Sequence, residues 1–227
     1  MEEKSGCVVC GRELTYVKNA SELTCIYCNR REMTYTHCVA GHYLCDYCHA
    51  MQANDIIEAH CTSSSTTDPI ELALMLMKHP SIKMHGPEHH FLTPAVLLAA
   101  YYNQRGDSQP KISKIKQARQ RAEKVPGGSC GFHGNCGAAV GAGIFVSLIH
   151  DATPLKKNEW QQANLMTGES LLTIAKLGGP RCCKRDSFAT LDLASRKYGL
   201  SHRQHITCDF SRLNKECLGK KCPYFHR

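Results

Sequence analysis

Beyond residue 52 apolar side chains recur at helical spacing, and before it they do not. Asp68-Pro69-Ile70-Glu71 joins an N-cap, a first-turn proline and a capping-box glutamate, which predicts a helix through about Lys78. Pro94 predicts the start of another, through about Asn103. From 111 to 125, Ile112, Ile115, Ala118, Ala122 and Val125 form one stripe, with lysines and arginines elsewhere. Asn135 predicts the cap of a helix from Cys136 to about His150. Asn158 and Gln161 open one that Gly178-Gly179-Pro180 terminates, and Cys183 to Tyr198 forms a last helix stopped by Gly199. In the first 50 residues, the short β-type runs Leu14–Val17 and Glu22–Cys25 alternate with turn residues. The pattern predicts a mainly α protein: a small module at 1–52, then a cysteine-rich α-helical domain at 53–227. A module so small cannot bury enough apolar surface to fold alone, so metal must stabilise it.

Composition adds the metal chemistry. The chain has 227 residues, of which 15 are cysteine and 13 histidine. The cysteine count is odd, many occur as C-x2-C, and the polar start Met1-Glu-Glu-Lys is no export signal. These features favour metal thiolates in a reducing cytoplasm over disulfides. The longest apolar run, Ala138–Ile149, is 12 residues, against roughly 20 for a membrane span, so no membrane partner is expected. Net charge is −1 over residues 1–52 and +9 over the rest.

The N-terminal ligand pairs are Cys7-x2-Cys10, Cys25-x2-Cys28, Cys38-x3-His42 and Cys45-x2-Cys48. Four pairs are enough for two tetrahedral zinc sites. The first two pairs resemble a zinc ribbon; the stretch from Cys38 to His49 resembles the second half of a RING-like or treble-clef finger. Sequential tetrads would be Cys7, Cys10, Cys25, Cys28 and Cys38, His42, Cys45, Cys48; spacing equally permits a cross-braced arrangement.

Four further cysteines, Cys130, Cys136, Cys182 and Cys183, lie beside glycine-rich helix starts. Together they form a candidate cofactor site for an iron–sulfur cluster, or zinc. Cys136, in a first turn, is a candidate reactive thiol, because free N–H groups lower a thiol pKa there. The glycines and alanines that follow it suit close approach by another helix or by a cluster. Cys208, Cys217, Cys222 and His226 resemble a CCCH knuckle spanning 208–226, a zinc fold that in its family often binds single-stranded RNA. Phe210, Tyr224 and Phe225 would be its stacking aromatics. The same three cysteines can instead hold an iron–sulfur cluster. His85, Glu88 and His89 spell H-x-x-E-H, but Gly86 and Pro87 oppose the continuous helix that a zinc protease needs. They remain candidate acid–base groups, catalytic partners for Cys136. Six cations between Lys111 and Lys124 offer a surface for RNA phosphates, or a solvated helix face.

Taken in order, GHYLCDYC, MHGPEHH, KVPGGSCGFHGNCGAAVGAGI, GGPRCCKRDS and CDFSRLNKECLGKKCPYF resemble a poorly characterised cysteine-rich domain family of methanogenic archaea and anaerobic bacteria. Some of its members carry the domain on or near radical-SAM proteins, and some are labelled SAM-dependent methyltransferases. The resemblance implies a redox, sulfur- or methyl-transfer accessory working with a modification enzyme. The rival expectations are a zinc-finger RNA-binding module and a stand-alone metal-dependent enzyme such as a methyltransferase. The residues themselves show no glycine-rich loop after a strand, so they do not predict autonomous SAM binding.

Overall fold

The computed structural model describes residues 6–7, 12–26 and 30–226. The chain divides into two compact units, 1–51 and 52–227. No helix among the described residues is long and apolar enough to cross a membrane.

The first unit is built on an antiparallel hairpin of β1 (Leu14–Thr24) and β2 (Arg31–Cys38), paired from Leu14 with Cys38 to Thr24 with Arg31. The two short runs expected in this region join into one strand, with a register shift between Tyr16 and Ser21. The second strand escaped the sequence pattern because the hairpin has almost no buried face. Cys38 is its one buried residue, and Leu14, Tyr16 and Met33 are exposed. A two-stranded hairpin without a packed face is marginal in water. Helix α1 (Asp46–Ser63) begins inside the segment expected to lack helices and runs on into the second unit.

The second unit is helical: α2 (Pro69–Met77), α3 (Glu88–Arg105), α4 (Ser108–Ala122), α5 (Ser129–Phe132), α6 (Gly137–Ile149), α7 (Lys157–Lys176) and α8 (Cys183–Tyr198). Helix α2 starts where its cap dictates, with Asp68 Oδ1 accepting from the N–H groups of Ile70 and Glu71 at 2.8 and 3.1 Å. Helix α8 ends on Gly199, whose φ of 60° is left-handed. Within α4, Ile115, Ala118 and Ala122 are buried, but Ile112 is exposed, against the expected stripe.

Helix α3 is the centre of this unit. Residues 95–100 are all fully buried, as in a helix packed on every side, and α2, α4, α6 and α8 pack around it. It begins at Glu88, so Pro94 lies inside the helix rather than opening it. A proline there leaves the His90 carbonyl without its helical partner. That carbonyl faces α6, where the chain has glycine. A Cβ on Gly141 would stand 2.7 Å from Pro94 Cδ and 3.0 Å from the His90 oxygen. A Cβ on Gly137 would stand 2.0 Å from the His90 ring, and one on Gly143 2.0 Å from Thr167 Oγ1 of α7. The glycine-rich stretch is therefore a helix-packing surface. Phe145, on the same helix, meets Tyr101 and Tyr198 edge-on at 5.8 and 5.3 Å.

Gly141→Ala should destabilise the chain by about 1–3 kcal/mol, because the new methyl meets a proline ring and a backbone oxygen, neither of which can rotate away. Chemical denaturation of the variant would show a lower midpoint at unchanged slope.

Candidate metal centres

Two turns shape the N-terminal site. Cys7 N–H donates to the Arg12 carbonyl at 2.7 Å, and Cys25 N–H repeats the pattern on Arg30 at 2.8 Å. Cys38 closes β2 into a knuckle: its N–H donates to the His42 carbonyl, while Ala40 N–H donates to its sulfur at 3.3 Å. Gly41 supplies the left-handed residue of that turn, at φ 82°. These turns bring Cys7, Cys38 and His42 together, with ligand atoms all within 4.8 Å of one another, a group that can hold a metal ion. Cys7 Sγ lies 3.8 Å from His42 Nδ1. Separately, Cys45 N–H donates to Cys25 Sγ at 3.4 Å, and both side chains are fully buried. Cys7 thus stands with Cys38 and His42, a grouping that cuts across the sequential tetrads, while the backbone of Cys45 meets the sulfur of Cys25. Cys10 and Cys28 lie outside the described residues, as does the side chain of Cys48.

In the second unit the cysteines gather around the start of α8. Cys136 is the N-cap of α6 and Cys182 the N-cap of α8. Cys136, Cys182 and Cys183 share one buried neighbour, Asp186, whose charge raises the pKa of all three. Burial is the larger cause in each case, pushing Cys136 and Cys182 up to about 11 and Cys183 to about 12. The N–H groups of Ala138 and Ala139 do act on Cys136, as its place in a first turn predicts. Desolvation outweighs them, so this thiol is held protonated rather than activated. Cys130 is a near neighbour of Cys136 and Cys208 of Cys182.

Cys182 also borders a second space. With Cys208, Cys217 and Cys222 it lines a partly open cavity of about 400 Å³, open solvent included, whose walls include Met84, Phe210 and Tyr224. Cys130, Cys136 and Cys183 are not among its lining residues, and His226 is exposed outside it. Two of the three aromatics expected to stack bases point inward, and the third, Phe225, is half-buried at the cavity. Phe210 is buried, and Tyr224 meets Phe188 edge-on at 5.6 Å. The cations of α4 are largely spent within the fold. Arg119 pairs with Asp55, Glu58 and Glu123, Lys111 donates to Ser64 and Asn103, and Lys114 pairs with Asp151.

The H-x-x-E-H residues form a buried polar pocket, with His85 before the helix and Glu88 and His89 in its first turn. Glu88 and His89 are each 1% exposed. Glu88 Oε1 accepts from Lys83 N–H at 2.9 Å, and its carboxylate folds over Gly86, where a Cβ would stand 2.1 Å from Oε2. Oε2 has no partner, nor do His89 Nε2 and His85 Nδ1. His85 Nε2 lies 3.3 Å from Asn214 Oδ1, an oxygen that also accepts from Glu216 N–H. Burial pushes Glu88 up to about 7, against the opposing charges of Lys184 and Lys83. It holds His89 well below its ordinary range, and hence neutral.

Glu88 gives the fold a pH signature. Its folded pKa lies above the unfolded value, so the native state binds the extra proton and stability falls as pH rises from 4.5 to about 7. The loss should be about 3 kcal/mol, at 1.36 kcal/mol per unit. Glu88→Gln should flatten that slope, leaving the variant more stable than the parent at pH 8 in urea unfolding.

No curated protein and no solved structure matches the chain. A family model described as "Family of unknown function (DUF5714)" matches residues 57–225. The match covers most of the chain, including the α3 pocket and the C-terminal cysteines, and the protein therefore belongs to the DUF5714 family.

Proposed function

We propose that the protein is a multi-metal thiolate protein, with zinc in its N-terminal module and an iron–sulfur centre in its helical domain. It serves a modification enzyme, of the radical-SAM or methyltransferase type, as a redox, sulfur- or methyl-transfer accessory. The observation that carries the metal reading is the grouping of Cys7, Cys38 and His42 in a hairpin with almost no buried face. Two ligands of one tetrahedral zinc, sulfur and nitrogen, stand about 3.6 Å apart for bonds near 2.3 and 2.0 Å. The separation of 3.8 Å between Cys7 Sγ and His42 Nδ1 suits that geometry. Cys10 would complete this site, and Cys28 and Cys48 the one begun by Cys25 and Cys45.

The helical domain favours an accessory over its two rivals. An RNA-binding knuckle needs exposed aromatics, and Phe210 is buried while Tyr224 packs on Phe188. A stand-alone enzyme built on Cys136 needs a thiolate at neutral pH, and burial raises that thiol instead. Glu88 and His89 have almost no exposure to an incoming substrate. The accessory reading asks only for a partly protected metal centre, which half-buried thiols supply.

Double substitutions test the module. Cys7→Ser with Cys38→Ser should cost one zinc per chain, because both changes fall on one ion. Cys7→Ser with Cys25→Ser should cost two. Zinc content measured on the folded protein decides; the opposite pattern would restore sequential pairing, and an unchanged zinc count would remove zinc from the module. Salt-sensitive binding of single-stranded RNA, lost in Phe225→Ala with the fold intact, would overturn the accessory reading in favour of an RNA-binder.

A further inference from the structure

The cavity at the C-terminal end of the chain has the donors of a metal centre, but not the set that spacing suggests. Cys208, Cys217 and Cys222 face it from the last segment, and Cys182 faces it from the start of α8. His226, which a CCCH knuckle would require, is exposed and does not line it. We propose that Cys182, Cys208, Cys217 and Cys222 are the four ligands of a single iron–sulfur cluster. The assignment rests on the metal-thiolate reading above, but it needs nothing from the N-terminal module.

Three of the four sulfurs are already placed as acceptors. Phe210 N–H donates to Cys208 Sγ and Gly219 N–H to Cys217 Sγ, each at 3.4 Å. Cys182 takes the Arg185 N–H in the first turn of α8, where main-chain donors converge. Main-chain N–H groups aimed at cysteine sulfur spread the negative charge of a metal-bound thiolate, at a single ion as in a cluster. Five of the other lining residues, Met84, Phe210, Leu218, Tyr224 and Phe225, are apolar or aromatic, while Ser211, Asn214 and Glu216 line its polar side.

The spacing is compatible with a cluster. A lone tetrahedral ion draws all its ligands into one tight group, as Cys7, Cys38 and His42 are drawn within 4.8 Å. Among the described residues, no three of the sulfurs around this cavity gather so closely. A cluster binds each sulfur to a different iron and therefore holds them farther apart. Charge agrees. Four thiolates on an iron–sulfide core carry net negative charge, and the buried cations Lys184 and Arg185 flank the cavity together with one buried carboxylate, Asp186. Arg185 lines it, held by Asp186 at 3.0 Å and by the Pro180 carbonyl at 3.1 Å. Lys184 stands behind the aromatic wall, its Nζ 4.9 Å from the Phe210 ring centre.

The full chain, expressed and purified without oxygen, provides the test through iron, acid-labile sulfide, zinc and the visible spectrum. The proposal expects about four iron and four sulfide per chain and a brown, broadly absorbing protein. Cys182→Ala should lose most of the iron and the colour while keeping its zinc, and His226→Ala should keep both. Should Cys182→Ala fail to fold, Cys217→Ser, in the C-terminal segment, reads the same loss with less risk to α8. Iron retained in Cys182→Ala but lost in His226→Ala would overturn the ligand set. A colourless protein holding zinc alone would overturn the cluster. Because iron reports this centre and zinc the N-terminal module, either reading can fail without the other.

Discussion

The helical domain rests on one close contact, the glycine face of α6 against α3 at Pro94. Two backbones can come this near only where one carries no side chains, and Gly137 and Gly141 occur at the two points of closest approach. The contact also places chemistry. Gly137 is the first residue of α6, so seating it against His90 fixes the Cys136 cap beside it. The same stretch of α3 follows directly on Glu88 and His89, whose pocket borders α8 through Lys184 and Cys183. One glycine-for-bulk choice thus sets the positions of three groups that lie far apart in sequence.

The buried pocket of His85, Glu88 and His89 is unusual in leaving three polar atoms unpaired at the centre of a folded domain. Such atoms cost free energy unless another requirement keeps them. The link from His85 to Asn214 ties the pocket to the cavity wall, because Asn214 lines the cavity that Cys182 and Cys208 share.

The parts of the molecule that local chemistry dictates were legible in the sequence. Asp68 and Pro69 announce α2, Gly199 ends α8, and the cysteines and histidines of the first 50 residues announce a group that could hold a metal. What was hidden depends on partners remote in sequence. Pro94 reads as a helix start until α6 supplies a reason for a proline inside a helix. Arg31–Cys38 does not read as a strand because the hairpin has no apolar face to reveal its period. Cys136 reads as an activated thiol because its helix start is visible and its burial is not. Cys182 reads as a companion of Cys183, its neighbour. Yet adjacent side chains diverge, and it joins cysteines 26 or more positions downstream. The basic run of α4 shows the same limit, since Arg119 finds its acids on α1 as well as within its own helix.

The crossed pairing in the N-terminal unit has a consequence for how that unit gains and loses order. The contacts from Cys7 to Cys38 and from Cys25 to Cys45 interleave along the chain, so each is formed inside or across the loop that the other closes. Closing a loop costs entropy that grows with its length. Whichever contact forms first confines the strands and shortens the search left to the second. Opening one returns that freedom to both. Interleaving therefore couples the two contacts, so that losing either frees chain that holds the other.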